Sequence, residues 1–221
     1  MGDIRGELRL FQKMMDRLGP TSSDVVIFLG SYLGPGGDSK QCVEYALGLR
    51  EAMPSTFLFL RGCYEFMFGK CIGTKPAAQH VKLWQYMQGR KVFDSYSVTG
   101  LRLISKGIEQ LPLSVPATHL RFFEGELHQW FEDDVFPFIA SHSGYHPSMY
   151  KEATEEQTVF TANKWWENDA LRVPGKTIVF SHVPFQKPFL GKGKLGIDLG
   201  AGLGGKLAAW EAVSQQITIV E

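Results

Sequence analysis

Five short segments set reactive side chains beside glycine or serine: Gly2-Asp3-Ile4-Arg5-Gly6, Gly30-Ser31-Tyr32-Leu33-Gly34-Pro35-Gly36, Gly62-Cys63-Tyr64-Glu65, Ser141-His142 and Ser181-His182. His142 and His182 could ligate one metal, since neutral imidazole is a common ligand. The plainer reading is a pair of hydrogen-bonded histidines. Gly200 to Lys206 matches the G-x4-G-K core of a phosphate-binding loop. Leu207 stands where that loop needs a Ser or Thr for magnesium, so nucleotide binding is not expected there. Asp133-Asp134 precedes a strand and reads as a solvated turn. His80, His119 and His128 fall in helical or loop stretches and read as surface or partly buried residues, and His146 as a turn residue before Pro147.

The elements that position these loops follow from the hydrophobic pattern. Residues 6–18 repeat Leu8, Phe11, Met14 or Met15 and Leu18 at helical spacing, with Gly19-Pro20 as the stop. Residues 24–29 (DVVIFL) are a continuous β-branched and aromatic run, expected as a strand buried on both faces. Ser39 is expected to cap a helix reaching about Met53. Residues 56–60 (TFLFL) form a second buried strand, with residues 61–65 as the turn after it. The stretch 75–131 reads mostly helical. Residues 135–140 and 177–180 return to strand, each running into a Ser-His pair, and residues 194–198 and 216–220 close the chain as strands. Strand, loop, helix, strand predicts an α/β fold with parallel strands, whose site sits at the strands' carboxyl ends. Trp165-Trp166 and Phe122-Phe123 read as anchors between helices and sheet.

The chain has 221 residues with 44% hydrophobic side chains, which suits one domain over residues 1–221 with a core that needs no staples. Net charge is zero, so no electrostatic footprint points to nucleic acid or an anionic membrane. Three cysteines, Cys42, Cys63 and Cys71, are too few for a disulfide framework. No signal peptide or spanning segment is read, and the expected location is the cytoplasm.

The order and spacing of the five loops resemble the PPP-type calcineurin-like metallophosphoesterases, the family of serine/threonine protein phosphatases and bacterial diadenosine tetraphosphatases. That family's motifs run GDxHG, GDxxDRG, GNHE, HAG and GHTP. GDIRG resembles the first, FLGSYLGPGGDSK the second and FLRGCYE the third. FEDDVFPFIASHSGYHP resembles the run into HAG, GKTIVFSHVPF the run into GHTP, and LGIDLGAGLGGKLAAWE the closing segment. The resemblance implies a four-layer αββα sandwich of two mixed sheets flanked by helices. It explains the glycines of 200–205 as a tight turn between closing strands. It also implies a strand ahead of the first motif, which the sequence read here does not carry and which must be supplied elsewhere or replaced by an altered edge.

The family holds two divalent metals (Mn, Fe or Zn) that clamp a water nucleophile and the phosphoryl oxygens. Carried over position by position, Asp3, His142 and His182 retain ligands. Arg5 stands at the first histidine, Ser31 at the aspartate bridging both metals, and Gly34 and Pro35 at the aspartate and arginine of DRG. Cys63 replaces the metal-binding asparagine and Tyr64 the general-acid histidine. A serine hydroxyl cannot replace a carboxylate shared by two dications, and a guanidinium has no lone pair to give a metal. Arg5 is instead expected beside Asp3, filling the charge space of the first metal. Loss of the arginine removes the bidentate phosphate clamp, and loss of the histidine removes leaving-group protonation. The expectation is therefore a pseudophosphatase with no catalytic residues, acting by binding a protein partner or a phosphorylated ligand. It would hold no cofactor, or one zinc on Cys63, His142 and His182 with Asp3 nearby. An active phosphoesterase with a rearranged metal site and a structural subunit of a larger assembly are the alternatives.

Overall fold

The computed structural model describes residues 1–54, 56–72, 78–97, 114–144, 154–160 and 164–221. In chain order these form α1 (Leu8–Leu18), β1 (Val26–Phe28), α2 (Ser39–Ala52), β2 (Phe57–Phe59), α3 (Cys63–Ile72), α4 (Ala78–Tyr86) and α5 (Gly89–Ser95). There follow α6 (Ala117–Gly125), β3 (Trp130–Asp133), β4 (Phe138–Ser141), α7 (Glu155–Val159) and β5 (Thr177–Phe180). β6 (Phe189–Gly191), β7 (Lys194–Gly196), β8 (Asp198–Leu199), β9 (Lys206–Trp210) and β10 (Ile217–Val220) complete the chain.

One sheet has the strand order β3-β4-β5-β7-β6, with β4, β5 and β7 parallel and β3 and β6 antiparallel at its edges. Opposite it lie the parallel pair β1-β2 and the antiparallel set β10-β9-β8. Met1 and Gly2 join these two sets. The Met1 amine donates to Ile27 O at 2.7 Å, Leu29 N donates to Met1 O at 2.9 Å, and Gly2 N donates to Ala208 O at 2.9 Å. The first two residues thus act as a short strand between β1 and β9.

Side-chain alternation sorts the strands between three cores. Ile27, Leu58, Val179, Leu195 and Ala208 meet between the sheets. Phe28, Phe57 and Phe59 point the other way, into the helical layer, where Phe11 and Met14 of α1 and Val43 and Ala46 of α2 cover them. Ile178 and Phe180 turn to the outer face of the five-stranded sheet, under Trp165. Among the described residues that face is covered by a 3-10 turn at Trp165–Glu167 and by Leu171 and Val173, while the long helices lie on the other side.

The structure corrects several local expectations. Ser39 is the first residue of α2 and does not cap it: its hydroxyl accepts from Gly34 N and donates to Gly34 O, both at 3.0 Å. The turn expected over 61–65 ends two residues in, because α3 already starts at Cys63. Strand β4 begins at Phe138; residues 134–137 are a turn, held where Phe136 N donates to Asp133 Oδ1 at 2.7 Å. His119 is buried, its Nδ1 2.9 Å from the Tyr96 hydroxyl, and is not a surface residue. Residues 75–77 and 98–113 of the stretch read as helical, and His146, lie outside the described residues.

Candidate functional site

Each of the loops after β1, β2, β4 and β5 leaves the carboxyl end of a buried strand, so their side chains meet at one end of the sandwich. Two of these loops touch at backbone distance. A Cβ on Gly62 would stand 2.2 Å from Ser31 N, and one on Gly30 2.5 Å from Gly62 N. Glycine is therefore required at both positions. Glu65 locks the contact: its carboxylate accepts from Ser31 N at 2.8 Å, Leu33 N at 2.9 Å and Gly62 N at 3.0 Å. Burial pushes this carboxyl up to about 7 against the pull of those amides. Arg5, Ser31 and His182 all adopt left-handed backbone, with φ of 52°, 54° and 71°. Such conformations cost about 1–3 kcal/mol each and persist only where the surroundings impose them.

Arg5 organises the centre. Its Nε donates to Asp3 Oδ2 at 3.1 Å, and one terminal nitrogen donates to Asp198 Oδ2 at 2.5 Å and to His182 O at 2.7 Å. Asp198 Oδ1 in turn accepts from Gly200 N at 2.8 Å. Both carboxylates are buried. One guanidinium thus faces two carboxyls. Burial pushes both carboxyls up, and Asp198 reaches about 7 because the Asp3 charge adds to the desolvation. The loop 200–205 packs behind this pair: a Cβ on Gly202 would meet Arg5 O at 2.3 Å. Lys206 pairs with Glu221 at 2.7 Å, so the loop is a backing turn and its lysine is engaged at the surface.

The imidazoles sit beside this network. His142 Nδ1 is 2.7 Å from Leu29 O, and its Nε2 accepts from Cys63 N at 3.1 Å. That pair of partners assigns the proton to Nδ1 and makes the ring neutral. Burial pushes its pKa down to about 3. The His142 and His182 rings lie 5.1 Å apart, and burial, with His142 and Arg5 nearby, also holds His182 neutral. Asp3 Oδ1 and His182 Nδ1 are buried without a hydrogen-bond partner among the described residues. Ser31 Oγ lies 3.7 Å from Cys63 Sγ, and burial pushes that thiol up.

Of the positions singled out in the sequence, Asp3, Arg5, Ser31, Cys63, His142 and His182 come together here. Tyr64 does not join them through its hydroxyl, which donates to Met87 O at 2.9 Å in the helical layer. Gly34 and Pro35 are buried, and a Cβ on Gly34 would stand 2.5 Å from Arg5 Cα. Sequence reasoning gave no role to Asp198 or Glu65. Both were visible as acids within otherwise apolar runs, LGIDLG and GCYEFMF.

The donor set does not fit two dications. No carboxylate stands at Ser31, and the retained Asp3 is ion-paired to Arg5. A single ion has a candidate set: donor atoms of Cys63, His142 and His182 lie within 4.8 Å of one another. Tetrahedral zinc needs such atoms roughly 3.3–3.8 Å apart. The set must contract to take it, and use of His142 Nε2 would break its bond from Cys63 N.

No family model matches the chain. Two solved structures share its fold. A candidate diadenosine tetraphosphatase aligns over 99% of this chain and 90% of its own, with a TM-score of 0.66 and 15% identity. A metallophosphoesterase from Sphaerobacter thermophilus aligns over 100% of this chain and 87% of its own, with a TM-score of 0.57 and 14% identity. Strand order, loop placement and these likenesses together give the chain the calcineurin-like metallophosphoesterase fold.

Proposed function

We propose that this protein is a pseudophosphatase: a metallophosphoesterase fold that acts by binding a protein partner or a phosphorylated ligand and does not hydrolyse phosphoesters by a two-metal route. The observation that carries this reading is the Arg5 guanidinium, which spans Asp3 and Asp198 where the fold's relatives would need cation ligands. A fixed side-chain cation supplies charge but neither a coordinated hydroxide nor an open coordination position. The groups near it add no replacement chemistry. His142 is neutral with both nitrogens engaged, the Cys63 thiol is held protonated by burial, and the Tyr64 hydroxyl is committed to Met87 O. A cytoplasmic location and the absence of nucleic-acid or membrane binding belong to the same proposal. Among the described residues no helix is long and apolar enough to cross a membrane.

The test is incubation of the purified chain with manganese and an aryl phosphate. No turnover above buffer is expected. Steady turnover that disappears in Asp3→Ala or His182→Ala would overturn the proposal. The unpartnered Asp3 Oδ1 and His182 Nδ1 favour one second reading, a single zinc on Cys63, His142 and His182. Elemental analysis after purification without chelator separates the two: one zinc per chain supports it, and none excludes it. Two metal equivalents would revive the enzyme.

A further inference from the structure

Water barely reaches the centre around Arg5. Asp3, Ser31, Cys63 and His142 are each at most 2% exposed, and Asp3 Oδ1 and His182 Nδ1 are buried without a partner among the described residues. A ligand can meet those two atoms only if some element moves. The loops after β1 and β2 are poor candidates, because Glu65 ties them together and Gly30 and Gly62 bring their backbones into contact. The loop 200–205 packs on the Arg5 backbone and is no freer. Among the described residues, α7 is held differently.

Five residues make under two helical turns, too few to be stable alone. A capping box starts the helix: Gln157 N donates to Thr154 Oγ1 at 3.3 Å, and Thr154 N donates to Gln157 Oε1 at 2.8 Å. The loop that carries His142 then holds it. Ser143, the next residue, donates from N to Thr158 O at 3.3 Å and from Oγ to Gln157 O at 3.1 Å. Thr158 and Val159 are buried. Phe160, just past the helix, sets its ring edge-on to His182 at 5.9 Å and to Phe66 of α3 at 6.0 Å. At the outer end Arg61, from the loop after β2, pairs with Glu155 and donates to Phe123 O at 2.6 Å. The Arg61 side chain is 17% exposed and that of Glu155 36%, so solvent screens the pair and its hold is modest.

We infer that α7 is a strap that closes this site, latched by Arg61 and Glu155, and that a ligand reaches His182 and Cys63 only after Phe160 lifts away. The inference rests on the reading of the site as a place of binding and adds how access to it is controlled. Burial of Val159 and the Phe160 contacts keep the strap shut in the free protein. Opening it breaks no strand pairing and exposes little of the core, so it costs less than unfolding the chain. The strap also couples three site loops. Arg61 belongs to the loop after β2, Ser143 to the loop after β4 and His182 to the loop after β5, and α7 or Phe160 touches each of them.

The three buried cysteines serve as reporters. The Cys63 thiol lies with His182 under the strap, whereas Cys42 and Cys71 belong to the helical core. The whole native chain is alkylated with iodoacetamide over hours, each thiol is followed by peptide mass analysis, and exchange of the Ser143 amide is followed by NMR. Glu155→Ala should speed Cys63 alkylation about two- to fivefold. Phe160→Ala should speed it about tenfold or more. In both variants Ser143 exchange should rise with Cys63, while Cys42 and Cys71 keep the parent rates. Equal speeding of all three thiols would mean global destabilisation and overturn the inference. So would parent rates throughout, or faster Ser143 exchange with Cys63 unchanged, which would show that α7 opens without guarding the site. Phosphatase turnover is read separately: it would overturn the pseudophosphatase proposal, and the strap stands or falls on the alkylation pattern alone.

Discussion

Replacing Arg5 with Met tests the centre of the site directly. The thioether chain fills much of the same space but leaves Asp3 and Asp198 buried without their cation. Removing one partner of a buried ion pair costs about 3–5 kcal/mol. For a chain of this length 1 kcal/mol moves Tm by about 2–4 °C, so the variant should melt about 6–20 °C lower at pH 8. The pH dependence gives the sharper test. Asp198 in the folded protein is raised to about 7, above its unfolded value of 3.8, and Asp3 is raised too. A raised carboxyl contributes stability that is complete below its unfolded pKa and is lost as pH rises through its folded pKa. The parent protein should therefore lose stability between about pH 4 and pH 7 from this pair. In Arg5→Met the carboxyls escape the penalty by protonating more readily at pH 5 than at pH 8, so the deficit should be larger at pH 8 than at pH 5. Asp198→Asn should flatten the parent's slope, because one guanidinium then faces one carboxylate. Differential scanning calorimetry of the three proteins at both pH values reads all of this. A variant Tm within about 2 °C of the parent at pH 8, or equal deficits at both pH values, would refute the account of Arg5 as the counter-ion of a buried acid pair.

Three further outcomes are expected. Arg5→His restores one ligand type but neither the bridging carboxylate nor the general acid, so it should show no aryl phosphatase activity with manganese; measurable turnover would mean that the losses at Ser31 and Tyr64 matter less than argued. Glu65→Ala orphans three buried amides at about 1–3 kcal/mol each, and urea titration should show at least ~3 kcal/mol of lost stability; a loss under about 1 kcal/mol would contradict the lock. Cys42, Cys63 and Cys71 are buried, with the Cys71 thiol pushed up to about 12, so a thiol-reactive disulfide reagent should label none in the native protein and all three in denaturant; rapid native labelling of Cys63 would show a thiolate that the structure does not support.

The sequence by itself marked β1, β2, β4, β5, β7 and β10 and the order of the loops between them, but not β3, β6 or β9. Runs such as DVVIFL and TFLFL can be little else, because β-branched and aromatic residues without helical period suit a strand packed on both faces. It also singled out Arg5, Ser31, Cys63 and His142 as residues of the loops, and the structure brings these side chains together. Local chemistry was read less well. Ser39 looks like a cap because Ser caps helices, but its hydroxyl is taken by Gly34 of the preceding loop. The tertiary structure alone decided how the site is wired. Arg5 meets Asp198 across 193 residues, His142 meets Leu29 across 113, and Cys63 meets His142 across 79. Periodicity records which face of an element is buried, because burial repeats with the backbone. A hydrogen bond or ion pair between loops repeats with nothing, so it becomes visible only when the strands that carry those loops have been laid side by side.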